Sequence, residues 1–216
     1  MIVLPPVPGR VVGLPRDERG YPVPAENAWV RGKPQLAVQD FRRCGSLYAD
    51  ARCAICGLRF AAGEVLYRLF AEDEVEKTLA VGACQRFDGP GHRDCMLFSA
   101  AVCPFFISAG ARRGGGHPEV AKGTARGARA ALMGFERVEI GVDQDPPHRA
   151  SFSYRNVVEN LMFEKGEQMA SLLPEDDPVP TGPASVRFYW KTEPEVKRAW
   201  AAALRLARKH GRTHTW

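Results

Sequence analysis

Two short pairs of residues have the types and the spacing of metal ligands. Cys53 and Cys56 form a C-x-x-C pair that Gly57 follows, so both sulfurs can turn toward one point. His92 and Cys95 stand three positions apart, a spacing that places both on one face at the start of a helix. Thiolate and imidazole are ligands that zinc prefers, and four of them complete its tetrahedral coordination. The sequence therefore predicts one structural zinc ion bound by Cys53, Cys56, His92 and Cys95.

The other cysteines leave alternatives open. Cys44 or Cys84 would replace any assigned ligand that is wrong. Cys103 follows Cys95 by eight residues, which is about 12 Å along a helix and too far for both sulfurs to share one ion. We therefore expect Cys103 to be a buried apolar side chain. A redox C-x-x-C would need a strand that runs into a helix, whereas the sequence here favours a turn.

Outside the ligands, the second pair lies in a longer pattern. The segment 89–95 reads Gly-Pro-Gly-His-Arg-Asp-Cys, and Phe98-Ser99-Ala100 and Cys103-Pro104-Phe105 follow it. Together with the C-x-x-C-G, this resembles a pattern in uncharacterised actinobacteriophage proteins, C-x-x-C-G…P-P-x-H-x-x-C…C-P-[FY]. The resemblance covers about residues 50–108, and Gly91 stands where that pattern has its second proline. It implies a phage or prophage origin and the same four ligands, and it brings no activity.

The elements between the ligand pairs must bring them together. Residues 58–60 and 65–70 are β-prone and flank a break that contains Gly63, which predicts a hairpin. Residues 78–83 suggest a third strand. Apolar residues at helical spacing predict a helix from about 93 to 102, which Pro104 would end. The predicted order is treble-clef-like: the C-x-x-C turn (a zinc knuckle) comes first, the hairpin follows, and a helix carries the second ligand pair.

The whole chain is predicted to be an α+β protein in three parts. Residues 1–34 hold seven of the seventeen prolines and form an arm whose apolar residues pack on the body. Residues 35–108 are the treble-clef-like zinc module. Residues 109–216 are a small mixed α/β part with a basic Gly/Arg loop. Its elements are predicted strands at 135–142, 151–155 and 185–190, and a C-terminal amphipathic helix that begins at the capping box 192–195.

Composition limits the classes of partner and compartment. The formal net charge is +5, which permits contact with nucleic acid without requiring it. No segment has the roughly 20 consecutive apolar residues that cross a bilayer, and the proline-broken N-terminus does not resemble a signal peptide. We expect a cytoplasmic protein with reduced thiols and no membrane contact. The sequence does not indicate an oligomeric state.

Two basic segments are candidate contact surfaces. The loop 109–130 carries five Lys/Arg against one Glu, and residues 192–216 carry six against two acids. The alternative for the second segment is an ordinary solvated helix face. The predicted contacts to nucleic acid or to a host protein are Arg112, Arg113, Lys122, Arg126, Arg129, Lys197, Arg198, Arg205, Arg208, Lys209 and Arg212.

No sequence pattern of a catalytic nucleophile, a phosphate loop or a metalloprotease occurs. The favoured hypothesis is a zinc-stabilised, non-enzymatic binding protein that engages a host protein or nucleic acid. The alternative is an enzyme whose active site lies within residues 110–216, with zinc only as scaffold. Its candidate residues are His117, Glu119, Asp143 and His148, although the H-x-E at 117–119 lacks the downstream P-C-x-x-C of zinc deaminases.

Overall fold

The computed structural model of the chain describes residues 4–112, 125–142, 149–210 and 214–215. Its helices are α1 (Gly9–Val12), α2 (Phe41–Ala49), α3 (Glu72–Val81), α4 (Arg93–Val102), α5 (Pro104–Ile107) and α6 (Glu193–His210). Its strands are β1 (Asn27–Val30), β2 (Lys33–Gln39), β3 (Leu66–Ala71), β4 (Ala83–Arg86), β5 (Ala130–Val142), β6 (Ala150–Phe163) and β7 (His214–Thr215). Two 3-10 helices cover Gly166–Leu172 and Gly182–Ser185. This mixture of helices and antiparallel strands confirms the predicted α+β class.

A five-stranded antiparallel sheet organises the fold. The strand order is β3–β5–β6–β4, and β7 also pairs with β5. The strands predicted at 135–142 and 151–155 are confirmed as parts of the long strands β5 and β6. Because β3 pairs with β5 along its whole length, the predicted zinc module and the C-terminal part share this sheet. A separate hairpin of β1 and β2 was not predicted.

The two faces of the sheet bury different hydrophobic clusters. Alternate residues of β3 point in opposite directions. Leu69 packs with the C-x-x-C turn and α4, whereas Phe70 packs with residues of α2 and α6. All six residues of β3 are consequently buried. We call the first group the metal-side core and the second the helix-side core.

Three predicted strands or pairings are wrong. Residues 58–60 do not form a hairpin with β3, because Arg59 bridges back to Arg52 and β3 pairs with β5 instead. The segment 78–83 is not one strand, since α3 continues to Val81 and only then does β4 begin. Residues 186–190 run without regular secondary structure.

Local signals explain α3. Its first turn contains Glu72, Asp73 and Glu74, which complement the positive end of the helix dipole. The Glu74 carboxylate accepts a hydrogen bond from the Ala71 amide at 3.0 Å. Gly82 ends the helix in the left-handed conformation, with φ of 69°. These are the ordinary start and stop signals of a helix, and they outweigh the β-prone residues near its end.

Two other helices and the burial of apolar residues in the N-terminal arm agree with the prediction, whereas α1, α2 and α5 were not predicted. The predicted helix at 93–102 is confirmed as α4, and the predicted C-terminal helix is confirmed as α6. In the arm, Val11, Leu14 and Val23 are buried. Among the described residues, no helix is long and apolar enough to cross a membrane.

Candidate metal centre

A tight turn presents the first ligand pair. The Cys53 Sγ accepts hydrogen bonds from the backbone amides of Ile55 and Cys56, at 3.4 and 3.5 Å. The Gly57 amide donates to the Cys53 carbonyl at 2.9 Å and closes the turn. Gly57 has a φ of +71°, a conformation that L side chains rarely adopt. The glycine that follows the C-x-x-C is therefore part of the turn that aims both sulfurs inward.

The start of α4 presents the second ligand pair. His92 is the residue before the first helical turn, and Cys95 lies within that turn. Two sets of backbone hydrogen bonds fix the approach to the helix. The Ala54 amide donates to the Pro90 carbonyl at 2.8 Å, and Gly91 and Tyr67 exchange hydrogen bonds at 2.9 Å. The ligand pairs are thus joined directly through the backbone.

The four ligand atoms converge on one point. They all lie within 4.8 Å of one another, and all four residues are buried. The His92 Nδ1 is 3.4 Å from the Cys56 Sγ and 3.9 Å from the Cys95 Sγ. Two ligands bound tetrahedrally at about 2.3 Å would stand about 3.8 Å apart. The predicted Cys53, Cys56, His92 and Cys95 therefore form one group that could hold a metal ion, and their donor chemistry and spacing fit one.

The imidazole of His92 is held by its second nitrogen. Nε2 lies 3.2 Å from the Arg59 carbonyl, to which it can donate a hydrogen bond. That bond leaves Nδ1, the nitrogen that faces the sulfurs, free to donate its lone pair to a metal. The ring of Phe60 lies 4.8 Å from the imidazole centroid. Residues 59 and 60, which follow the C-x-x-C turn, thereby orient the ligand of the other pair.

Burial and mutual contacts shift the pKa values of the four side chains in different directions. Burial raises the pKa of the Cys95 thiol well above its ordinary value. Burial acts in the same direction on Cys53, but hydrogen bonds from Cys56 and Cys95 and the positive His92 outweigh it, so the pKa of Cys53 is well below its ordinary value. Burial alone would lower the pKa of His92, yet the adjacent Cys53 thiolate raises this pKa to about 11. A bound dication would replace this internal ion pair.

The remaining cysteines lie outside the group. The Cys44 Sγ is 3.5 Å from a carboxylate oxygen of Glu26, and Cys84 lies in β4 opposite Tyr154. Cys103 follows α4 and packs, half-buried, against the metal-side core. The four-ligand group in the described chain contains neither Cys44 nor Cys84, the two candidate substitutes.

The predicted contact residues have different environments. Arg126 is fully buried, and its guanidinium donates to the carbonyls of Ser108, Ala128 and Glu164. Its side chain is therefore committed to the fold and is not on a contact surface. Arg129 is exposed and pairs with Glu72. The exposed predicted contacts in the described chain also include Arg112, Lys197, Arg198 and Arg205.

Several predicted residues lie beyond what the structure describes. Arg113, Lys122 and Arg212 lie outside the described residues, and only the backbone of Arg208 and Lys209 is described. The candidate catalytic residues His117, Glu119, Asp143 and His148 also lie outside the described residues.

Sequence reasoning missed the residues that support the ligand turn. The Arg52 guanidinium donates to the carbonyls of Gly57 and Val186, at 3.0 and 2.6 Å, and lies 3.9 Å from the Phe188 ring centroid. The Phe188 amide donates to the Gly57 carbonyl at 3.0 Å. The segment 186–190 thus covers the C-x-x-C turn, a contact between positions about 130 residues apart that no local pattern could reveal.

Comparison with known proteins identified no relative: no family model, no curated protein and no solved structure matches the chain.

Proposed function

We propose that Cys53, Cys56, His92 and Cys95 hold one zinc ion whose role is to build the fold. The observation that carries this proposal is the convergence of four buried ligand atoms within 4.8 Å. Three thiolates and one imidazole are a typical structural zinc set, and four protein ligands leave no coordination position for water or substrate. Zinc when bound would neutralise the thiolates and cross-link the two ligand pairs. The chain's own residues supply the turn, the helix start and the hydrogen bond that orients His92.

The order of these elements supports a treble-clef-like interpretation of the module. The C-x-x-C turn comes first, and the second pair lies at the N-terminal end of α4. In place of the predicted hairpin, β3, α3 and β4 lie between the pairs, and Tyr67 of β3 bridges to Gly91, which directly precedes the second pair. The module we propose therefore keeps the turn and the helix and joins them through a strand of the main sheet.

We further propose that the protein acts by binding, with nucleic acid or a host protein as partner. A filled structural site takes no part in chemistry, so the function would reside on the surface. The net charge of +5 favours a polyanionic partner. Lys197, Arg198 and Arg205 on α6 are exposed and offer cations to such a partner. A phage or prophage origin, which the sequence pattern implies, would make the partner a component of the host.

The metal proposal is tested by the metal content of protein purified without added metal. We expect about one zinc per chain, and we expect its loss in Cys53→Ser and in His92→Ala. Cys103→Ser is the matched control, because this cysteine is close in sequence but outside the ligand group, and it should retain the metal. Metal-free protein with a reversible Cys53–Cys56 disulfide would overturn the proposal in favour of redox chemistry.

The binding proposal is tested by fluorescence anisotropy with labelled DNA and RNA at low salt. Binding through phosphate contacts should weaken as the salt concentration rises. Reversing three cations should reduce the slope of the logarithm of the binding constant against the logarithm of salt concentration by about three units. The variant is Lys197→Glu/Arg198→Glu/Arg205→Glu, and the unaltered chain is the control. Absence of any binding at low salt would reject nucleic acid as the partner.

A further inference from the structure

We propose that Glu26, together with Arg68, positions the two ligand pairs relative to each other. This inference rests on the proposed metal site, and it assigns a role to two buried charged residues that lie outside the ligand group. Neither residue is one of the four ligands, so each would act on the metal through the backbone that carries the ligands.

The backbone of Glu26 is attached to the first ligand pair. Its amide donates to the Ala54 carbonyl at 2.9 Å, and the Ala25 amide donates to the Ile55 carbonyl at 2.8 Å. Ala54 and Ile55 are the two residues between Cys53 and Cys56. The chain at Glu26 therefore runs beside the C-x-x-C turn and holds it from the outside.

The side chain of Glu26 is attached to the approach to the second pair. One carboxylate oxygen accepts a hydrogen bond from the Gly89 amide at 3.2 Å, and the other lies 3.3 Å from the Arg68 guanidinium. Arg68 in turn donates to the Gly89 carbonyl at 2.9 Å. Both polar groups of Gly89, three residues before His92, are thus held by this ion pair. One residue, Glu26, contacts both halves of the site.

Close packing makes the connection stiff. A Cβ atom at Gly89 would lie 3.1 Å from the Cβ of Ala54, so the two segments touch with no intervening side chain. The Ala54 amide also donates to the Pro90 carbonyl at 2.8 Å. A displacement of Gly89 would accordingly move Pro90 and the following ligand relative to the first pair.

The burial of the pair argues for a role beyond stability. Glu26 is 3% exposed and Arg68 is 8% exposed. Removing two charges from water costs several kcal/mol for each ion, and an apolar pair of similar volume is often as stable. Asp88, whose carboxylate lies 3.3 Å from Arg68, adds a further charge to the cluster. An arrangement this costly is explained if its directional hydrogen bonds fix the spacing of the ligand pairs.

The test compares metal binding by the full chain with that of two Glu26 variants. Glu26→Gln keeps the side-chain shape and an acceptor oxygen but removes the negative charge. Glu26→Ala removes the acceptor and the charge. The probes are zinc affinity, by competition with a chelator, and the visible absorption spectrum of the cobalt-substituted protein, which reports ligand geometry. We expect Glu26→Ala to weaken zinc binding by roughly tenfold or more and to shift the cobalt bands, with a smaller change for Glu26→Gln.

Ile140→Val is the matched control. Ile140 is buried in the helix-side core, so its shortening lowers stability without touching the metal side. It should leave the cobalt spectrum unchanged. The inference is overturned if the Glu26 variants have the zinc affinity and the cobalt spectrum of the unaltered chain. It is also overturned if Ile140→Val changes the zinc affinity and the cobalt spectrum as much as the Glu26 variants do. Absence of zinc and cobalt binding by the unaltered chain would instead refute the proposed metal site.

Discussion

At the residue scale, Gly57 shows how much one position in the ligand turn constrains the fold. Its φ is +71°, and a Cβ there would lie 2.3 Å from the carbonyl oxygen of Phe188. We expect Gly57→Ala to lower the free energy of unfolding by about 2–5 kcal/mol, the sum of a left-handed conformation and an overpacked contact. Urea unfolding at constant zinc concentration would measure it.

Gly63 provides the control for this prediction. Its φ is +72°, yet a Cβ there would meet no atom within 4 Å. Gly63→Ala should therefore cost only the conformational part, about 1–2 kcal/mol. Equal losses in the two variants would show that the contact between Gly57 and Phe188 contributes nothing.

The protonation of the ligands predicts how metal affinity depends on pH. In the metal-free site, contacts with the other ligands lower the pKa of Cys53, whereas the pKa values of Cys56, Cys95 and His92 are raised, so we expect these three to be protonated near neutral pH. Metal binding must displace about three protons, so affinity rises with pH and falls about a thousandfold for each pH unit of acidification near pH 7. Calorimetry in two buffers of different ionisation enthalpy would count the protons. A release of about one proton would contradict this assignment.

The sequence predicted the ligand group because its signal is local. Two pairs at fixed short spacing identify Cys53, Cys56, His92 and Cys95, and the structure brings them together. Glu26 and Arg68 could not be found in the same way, since a lone Glu or Arg has no spacing signal. Arg126 was predicted to be a surface cation because its sequence neighbourhood is basic. Its side chain is buried, and no local pattern indicates this burial.

At the element scale, the contact between α2 and α6 depends on a glycine. A Cβ at Gly45 would lie 2.2 Å from the Trp200 ring. Alanine is favoured over glycine in a helix by about 1 kcal/mol, whereas overpacking a core costs about 1–3 kcal/mol. We expect the second effect to exceed the first, so Gly45→Ala should lower the free energy of unfolding in urea by up to about 2 kcal/mol.

A double-mutant cycle isolates this contact. Trp200→Leu removes the part of the ring that Gly45 faces, so Gly45→Ala should become neutral or stabilising in that background. If Gly45→Ala costs the same with and without Trp200, its effect does not arise from the packing of the two helices.

Helices with regular apolar spacing were predicted, whereas α3, despite its start and stop signals, and the pairings that depend on distant partners were not. The helices α4 and α6 have regular apolar spacing, and α6 begins at the predicted capping box, where Glu195 accepts hydrogen bonds from the amide and hydroxyl of Thr192. The residues at 58–60 are β-prone, but strand pairing depends on which partner is available. Here β3 pairs with β5 and, at Tyr67, with Gly91, whereas Arg59 bridges to Arg52. Burial on both faces also removes from β3 the alternation of apolar and polar residues that marks a half-buried strand.

At the scale of the whole molecule, one sheet separates two hydrophobic cores, and only one of them includes metal-ligand candidates. The metal-side core includes Cys53, Cys56 and Cys95. The helix-side core contains none of the four ligands and is closed by α2 and α6, with Tyr48, Phe152 and Trp200 among its large side chains. Only the first core should depend directly on the metal, because structural zinc contributes folding energy where its ligands lie.

Metal removal should therefore loosen one face of the protein and spare the other. After chelation, we expect hydrogen exchange to accelerate in residues 53–60 and 89–98, which hold the ligands, while β5, β6 and α2 remain protected by the helix-side core. Exchange followed by mass spectrometry, with and without chelator, would resolve these segments. Restored protection after zinc addition, but not after magnesium addition, is the control, since thiolate ligands select zinc. Uniform loss of protection would show instead that β3, buried between both cores, couples them into a single cooperative unit.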